Sequence, residues 1–170
     1  MKKSAVTIPV FMFAVALSIS PATTQAASGD EAQIKTLFDQ FMAGCNAKDV
    51  NAIMKFYVSD ESLLVFDVVP PRQYVGANAY RKDWEEFASM FNGPSKCEIS
   101  ELSITADGAM AFAHSIQRVT GTNTKGQPVD LTVRVTDVFR KTNDNWLVVH
   151  EHVSVPVDLD TGKPDLSSKP

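Results

Sequence analysis

The stretch that most constrains this chain is Val129–Val155, VDLTVRVTDVFRKTNDNWLVVHEHVSV. Two runs rich in β-branched and aromatic residues flank a polar break from Thr142 to Asn145, the pattern of a β-hairpin with a short loop. A symmetric loop sets Lys141 opposite Trp146, Phe139 opposite Val148, Asp137 opposite His150 and Val135 opposite His152. Side chains alternate along a strand, so Val133, Val135, Asp137 and Phe139 share one face with Val148, His150 and His152. A carboxylate and two imidazoles on an otherwise apolar strip must be paired or used, because a buried polar group without a partner costs about 1–3 kcal/mol.

Upstream of the hairpin the chain supplies helices first and strands later. Ile34, Leu37, Phe38, Phe41, Met42 and Cys45 recur at alternating steps of three and four, one face of a helix that begins at Asp30 and runs to about Ala47. Asp49 offers a cap for a second, shorter helix reaching Tyr57. Ser62 to Phe66 reads as a strand that stops at Asp67. Two readings of Asp67 stay open: a carboxylate that caps backbone amides of the following turn, or one at the mouth of a pocket. Pro70 to Gly76 is a loop, and Asn78 opens a third helix whose inward stripe is Tyr80, Trp84, Phe87, Ala88 and Phe91. Cys97 to Thr105 is a strand with a bulge, because Glu98 to Leu102 does not alternate strictly. Ala109 to Thr120 is a long strand with a small face of Ala109, Ala111, Ala113 and Ser115. Pairing of His114 near Arg134 joins that small face to Asp137 and leaves both of those residues on the opposite face, where a homodimer contact is expected.

The two ends stand apart from this pattern. Lys2 and Lys3 precede an apolar run from Ala5 to Ile19, and Thr24-Gln25-Ala26 offers small residues for cleavage. Residues 1–26 therefore read as a signal peptide, residues 27–155 as one domain, and residues 156–170 as an extended or disordered tail rich in Pro, Asp, Gly and Ser. The expected location is periplasmic or secreted, without stable insertion in a membrane. Loss of Lys2 and Lys3 takes sixteen basic residues to fourteen against twenty acidic ones, a net charge near −6. With no basic patch, nucleic acid and anionic membrane are poor partners. Cys45 and Cys97 read first as two buried thiols, with one disulfide as the alternative in an oxidising compartment. No phosphate-binding glycine loop or nucleophile elbow occurs, and no nucleotide, flavin or haem is called for. A metal held by Asp137, His150 and His152 is a minor alternative.

The order helix, helix, short strand, helix and four longer strands is that of an α+β protein. With Phe41–Asp49 (FMAGCNAKD), Val65-Phe66-Asp67, Gly76, Thr136-Asp137-Val138-Phe139-Arg140 and Trp146–Ser154 (WLVVHEHVS), the chain resembles the NTF2-like superfamily, in its SnoaL-like and ketosteroid-isomerase-like branch, over residues 30–155. The resemblance implies a cone in which three N-terminal helices pack on a strongly curved, mostly antiparallel sheet around a cavity. It also implies a homodimer, and activity without a cofactor on a small hydrophobic carbonyl compound, as an isomerase, cyclase or dehydratase. Asp67 matches the position of the carboxylate base of the steroid isomerases and Asp137 their oxyanion-side acid, whereas Phe41 stands where they carry a tyrosine. The expected catalytic set is Asp67, Asp137, His150 and His152. Tyr57, Tyr80, Trp84, Val135 and Phe139 are the expected substrate contacts. A noncatalytic small-molecule binding module and a homodimeric assembly domain are the competing readings of the same residues.

Overall fold

A computed structural model describes residues 29–168. The expected signal peptide lies outside the described residues. Helix α1 spans Gly29–Ala47 and buries Ile34, Phe38, Phe41 and Cys45, the stripe read from the sequence. Asp30 lies inside this helix, and its carboxylate accepts from Lys141 Nζ at 2.7 Å and Trp146 Nε1 at 3.1 Å. Those two bonds tie the start of α1 to the base of the hairpin. Helix α2, Val50–Ile53, is capped by Asp49, whose side chain accepts from the Ala52 N–H, and a 3₁₀ turn, Met54–Phe56, continues it. The corner between α1 and α2 is close enough that a Cβ on Gly44 would lie 3.1 Å from the Cβ of Ala52, so glycine permits the contact.

Strands β1 (Leu64–Phe66) and β2 (Tyr74–Val75) form a small antiparallel pair before α3, Ala77–Ser89. Gly76, at φ +85°, is the N-cap of α3 in place of the expected Asn78, and a Cβ there would collide with the Glu61 carboxylate. Strands β3 (Lys96–Asp107), β4 (Met110–Thr122), β5 (Pro128–Thr142) and β6 (Asn145–Ser154) follow as an antiparallel run. The expected irregularity in β3 is present as a register shift between Ser100 and Ser103. Beyond β6 the chain turns back: Val157 bridges Pro164, and the Thr132 N–H donates to the Leu166 carbonyl.

The sheet order is β2-β1-β6-β5-β4-β3, with β1 and β6 parallel. Expectation and structure part here. The sheet is open, its edges β2 and β3 do not meet, and it is neither closed nor strongly curved, so the cone implied by the resemblance is corrected. One physical reason is the length of the β1–β2 end. Strands of three and two residues offer too little ladder to wrap the sheet around a core. The helices do the enclosing instead. Phe38, Phe41, Phe56 and Phe139 interlock between helices and sheet, with ring centroids 4.7–5.8 Å apart. Each fully buried ring of this kind contributes about 2–3 kcal/mol.

The two cysteines are joined. Cys45 at the end of α1 and Cys97 at the start of β3 form a disulfide with a Cα–Cα distance of 6.1 Å, which corrects the reading as buried thiols. Asn46 reinforces the same junction: its side chain donates to the Cys97 carbonyl and accepts from the Cys97 N–H. Among the described residues no helix is long and apolar enough to cross a membrane.

Candidate functional site

The site is decided by one extra residue in β6. Lys141 pairs with Trp146 and Phe139 with Val148, as a symmetric hairpin requires. The register then shifts: Val138 pairs with His150, Asp137 with Glu151, Thr136 with His152 and Val135 with Val153. Val149 is the bulged residue, and beyond it every side chain of β6 changes face. The expected pairs Asp137–His150 and Val135–His152 are therefore corrected. Glu151, which the symmetric register points away, is brought inside at 3% exposure. A sequence signal for this exists. Trp146 and Val148 put apolar residues on even numbers and Leu147, Val149, Val153 and Val155 on odd ones, so both phases are open before the bulge and only the odd one after it.

The histidines lie on the outer face of the sheet. His150 Nδ1 is 2.8 Å from the Leu64 carbonyl, and its ring packs edge-on to Phe66 at 5.1 Å. His152 meets the same Phe66 ring at 5.7 Å and is exposed. Neither approaches Asp137, which pairs across the strands with Glu151 on the inner face, so the three cannot share a metal ion. Strands β4 and β5 pair His114 with Thr136 and Ala113 with Asp137, two residues from the expected register. A shift of two preserves the face, so Ala111, Ala113 and Ser115 do lie inside with Asp137.

Inside, Glu151 is the centre of a buried polar network. Tyr57 donates its hydroxyl to Glu151 Oε2 at 2.8 Å, and Tyr80 donates to Oε1 at 2.5 Å. The two tyrosine rings meet edge to face at 5.3 Å. Asp137 is fully buried, and neither of its oxygens receives a hydrogen bond from an N–H or hydroxyl donor. Burial, and then the neighbouring Glu151, push the Asp137 carboxyl well above the usual range. Burial also raises Glu151, while the Tyr80, Asp137 and Tyr57 hydrogen bonds pull it back. Two carboxyls in one dry site cannot both ionise. The pair shares one proton, and the two tyrosine hydroxyls that Glu151 accepts favour the charge there. Burial first, and then the Glu151 charge, lifts both tyrosines well above the ordinary phenol value, so they remain donors.

Tyr80 and Glu151 of this network line a pocket of about 270 Å³ between α3, the β1–β2 loop and the inner sheet face. Asp67, Tyr80, Asp83, Trp84, Val135 and Glu151 all line it. Of the remaining expected residues, Tyr57 and Phe139 are core, and Asp137 sits against Glu151 without lining the pocket. Asp67 combines both readings the sequence left open, since it accepts from the Val68 N–H and also lines the pocket. Burial raises its carboxyl to about 6, with the Asp83 and Glu151 charges pushing the same way and the Val68 and Val69 N–H groups opposing. Asp83, which sequence reasoning missed, is raised by burial and accepts the Tyr74 hydroxyl at 2.7 Å. Its helical position among charged residues gives no sign of this role. Trp84 Nε1 is buried without an acceptor among the described residues.

An open, mostly antiparallel sheet with helices on one face and a carboxyl-lined pocket between them defines a protein of the NTF2-like class. The chain belongs to the SnoaL-like domain family, whose pattern matches residues 34–158. Among solved structures it is similar to an NTF2-like protein of unknown function from Pseudomonas putida KT2440. That likeness has 30% identity over 85% of this chain and 99% of the other, with a TM-score of 0.75. More distant likenesses show the fold alone. One is a candidate scytalone dehydratase from Novosphingobium aromaticivorans, at 16% identity, 81% and 91% coverage and a TM-score of 0.66. Another is a candidate dehydratase of the NTF2-like family from Streptomyces avermitilis, at 14% identity, 74% and 95% coverage and a TM-score of 0.64. No curated protein matches the sequence significantly.

Proposed function

We propose that the protein takes a small hydrophobic carbonyl compound into this pocket and performs acid–base chemistry on it without a cofactor, as an isomerase, cyclase or dehydratase. Asp67 is the group that moves the proton. The observation that carries this reading is a carboxyl held at about 6 in a largely apolar pocket. Both of its forms are populated near neutral pH, which is what a general base that must also return its proton requires. Asp137 and Glu151 act at one remove, fixing a charge at the pocket floor and holding Tyr80 in place. His150 and His152, on the outer face, take no part.

A noncatalytic binding module is the second reading, and one observation favours it. Both Tyr57 and Tyr80 spend their hydroxyls on Glu151, and Phe41, which lines the pocket, has no hydroxyl to stabilise an enolate. The Cys45–Cys97 disulfide supports export to the periplasm or beyond, because such bonds persist in oxidising compartments. Met110 and Phe112, each 47% exposed on the outer sheet face, supply an apolar surface for the homodimer.

The test is deuterium exchange at the carbon next to the carbonyl, followed by NMR with a panel of small cyclic ketones and β-hydroxy ketones in D₂O. The protein accelerates exchange for at least one member, Asp67→Asn loses about 10²-fold or more of that rate, and His152→Asn matches the wild type. Equal rates for Asp67→Asn and the wild type refute the role of Asp67. Saturable binding with no exchange by the wild type establishes the binding module instead.

A further inference from the structure

We propose that the ligand of this pocket carries a cationic amine on a compact apolar body. The inference rests on the reading of the pocket as a ligand site and is independent of any turnover there. Asp67, Asp83, Glu86 and Glu151 line the cavity, and among the described residues no lysine, arginine or histidine lines it with them. Among the described residues, none of the four takes part in an ion pair. The partners they do have are neutral: the Val68 N–H for Asp67, the Tyr74 hydroxyl for Asp83, and the Tyr57 and Tyr80 hydroxyls for Glu151. His150, next to Glu151 in the chain, attracts it from the outer face of the sheet. Asp67, Asp83 and Glu151 are withdrawn from water without a counter-ion, which is unfavourable, and a ligand ammonium supplies the missing charge. A carboxylate or phosphate ligand would meet like charge from Asp67, Asp83, Glu86 and Glu151.

The pocket also has an aromatic wall beside the acids. Phe41, Tyr80 and Phe87 surround Trp84, with centroids 5.5, 6.1 and 5.5 Å from its ring. Ring faces carry negative potential and attract ammonium groups, so carboxylates beside an aromatic wall suit an amine. Val119, Leu131, Val133 and Val153 on the sheet side are the surface for the apolar body. The buried Trp84 N–H has no acceptor among the described residues, and a carbonyl or hydroxyl oxygen on the same ligand would satisfy it.

The experiment compares three probes of one shape and different charge, 2-phenylethylamine, 2-phenylethanol and phenylacetate, by calorimetric titration of the purified protein at pH 7.5 and low salt. The amine is expected to bind at least fivefold more tightly than the alcohol, and phenylacetate to show no saturable binding. Asp83→Asn is expected to remove most of that amine-over-alcohol advantage. Glu86→Gln, at an exposed position, gives the same comparison with a smaller loss if Asp83→Asn does not fold. An amine advantage below fivefold, or saturable binding of phenylacetate, overturns the charge assignment and leaves the pocket standing. No binding by any of the three refutes the pocket as a site for compact ligands, and the inference falls with it.

Discussion

Asp67→Asn should make the protein more stable, and the gain should appear only as pH rises. The folded state holds the Asp67 carboxyl at about 6, against 3.8 for an ordinary aspartate. A raised carboxyl binds its proton more tightly when folded, so its contribution is complete below about 3.8 and is lost as pH climbs through 6. Moving a carboxyl from 3.8 to about 6 corresponds to about 3 kcal/mol, at about 1.4 kcal/mol per pH unit. Because Asp67 is only partly buried, that figure is a ceiling, and about 1–3 kcal/mol is expected. Asparagine is nearly isosteric, keeps an oxygen for the Val68 N–H and never ionises, so it escapes the penalty. Urea unfolding of both proteins at pH 4 and pH 7.5 isolates the effect, because every other titrating group is common to the two. The stability difference should be near zero at pH 4 and reach about 1–3 kcal/mol in favour of asparagine at pH 7.5. A difference that does not change with pH refutes the reasoning, because it would mean that Asp67 ionises as freely in the folded chain as in the unfolded one. Such a cost is tolerated where a group is kept for function rather than for stability.

Reduction of the Cys45–Cys97 disulfide, which closes a loop with a sequence separation of 52, should cost about 4 kcal/mol by loop entropy. Urea titrations with and without dithiothreitol, with the thiol state checked by mass, measure it, and coincident midpoints would rule the contribution out. Glu151→Ala leaves the Tyr57 and Tyr80 hydroxyls and the Asp137 proton without an acceptor, and should cost at least about 3 kcal/mol in the same assay. Asp137→Asn should cost no more than about 1 kcal/mol at pH 7, because its amide can donate to Glu151 as the protonated carboxyl does. A large loss in Asp137→Asn would show that Asp137 is ionised in the folded protein.

Much of the architecture is legible in local pattern. The stripe Ile34, Phe38, Phe41 and Cys45 marks the buried face of α1, and Asp49 caps α2 as read. The near end of the hairpin, Lys141–Trp146 and Phe139–Val148, follows from loop symmetry alone. Asp67 could be singled out because a carboxylate ending an apolar strand has few ordinary explanations. These features depend on residues a few positions apart, and the periods of helix and strand carry them directly.

The site itself depends on terms that no local period contains. Which residue faces Asp137 is a question of register, and one bulged residue replaces His150 with Glu151. Whether Glu151 can be buried depends on hydroxyls that arrive from Tyr57 and Tyr80, 94 and 71 residues away in sequence. Whether Cys45 and Cys97 bond depends on the end of α1 meeting the start of β3. The sequence by itself therefore determined the helices, the strands, the family and the acid at the end of β1. The tertiary structure decided which carboxyls share a proton, which side chains face the pocket and which face outward, because burial and pairing energies belong to contacts between distant parts of the chain.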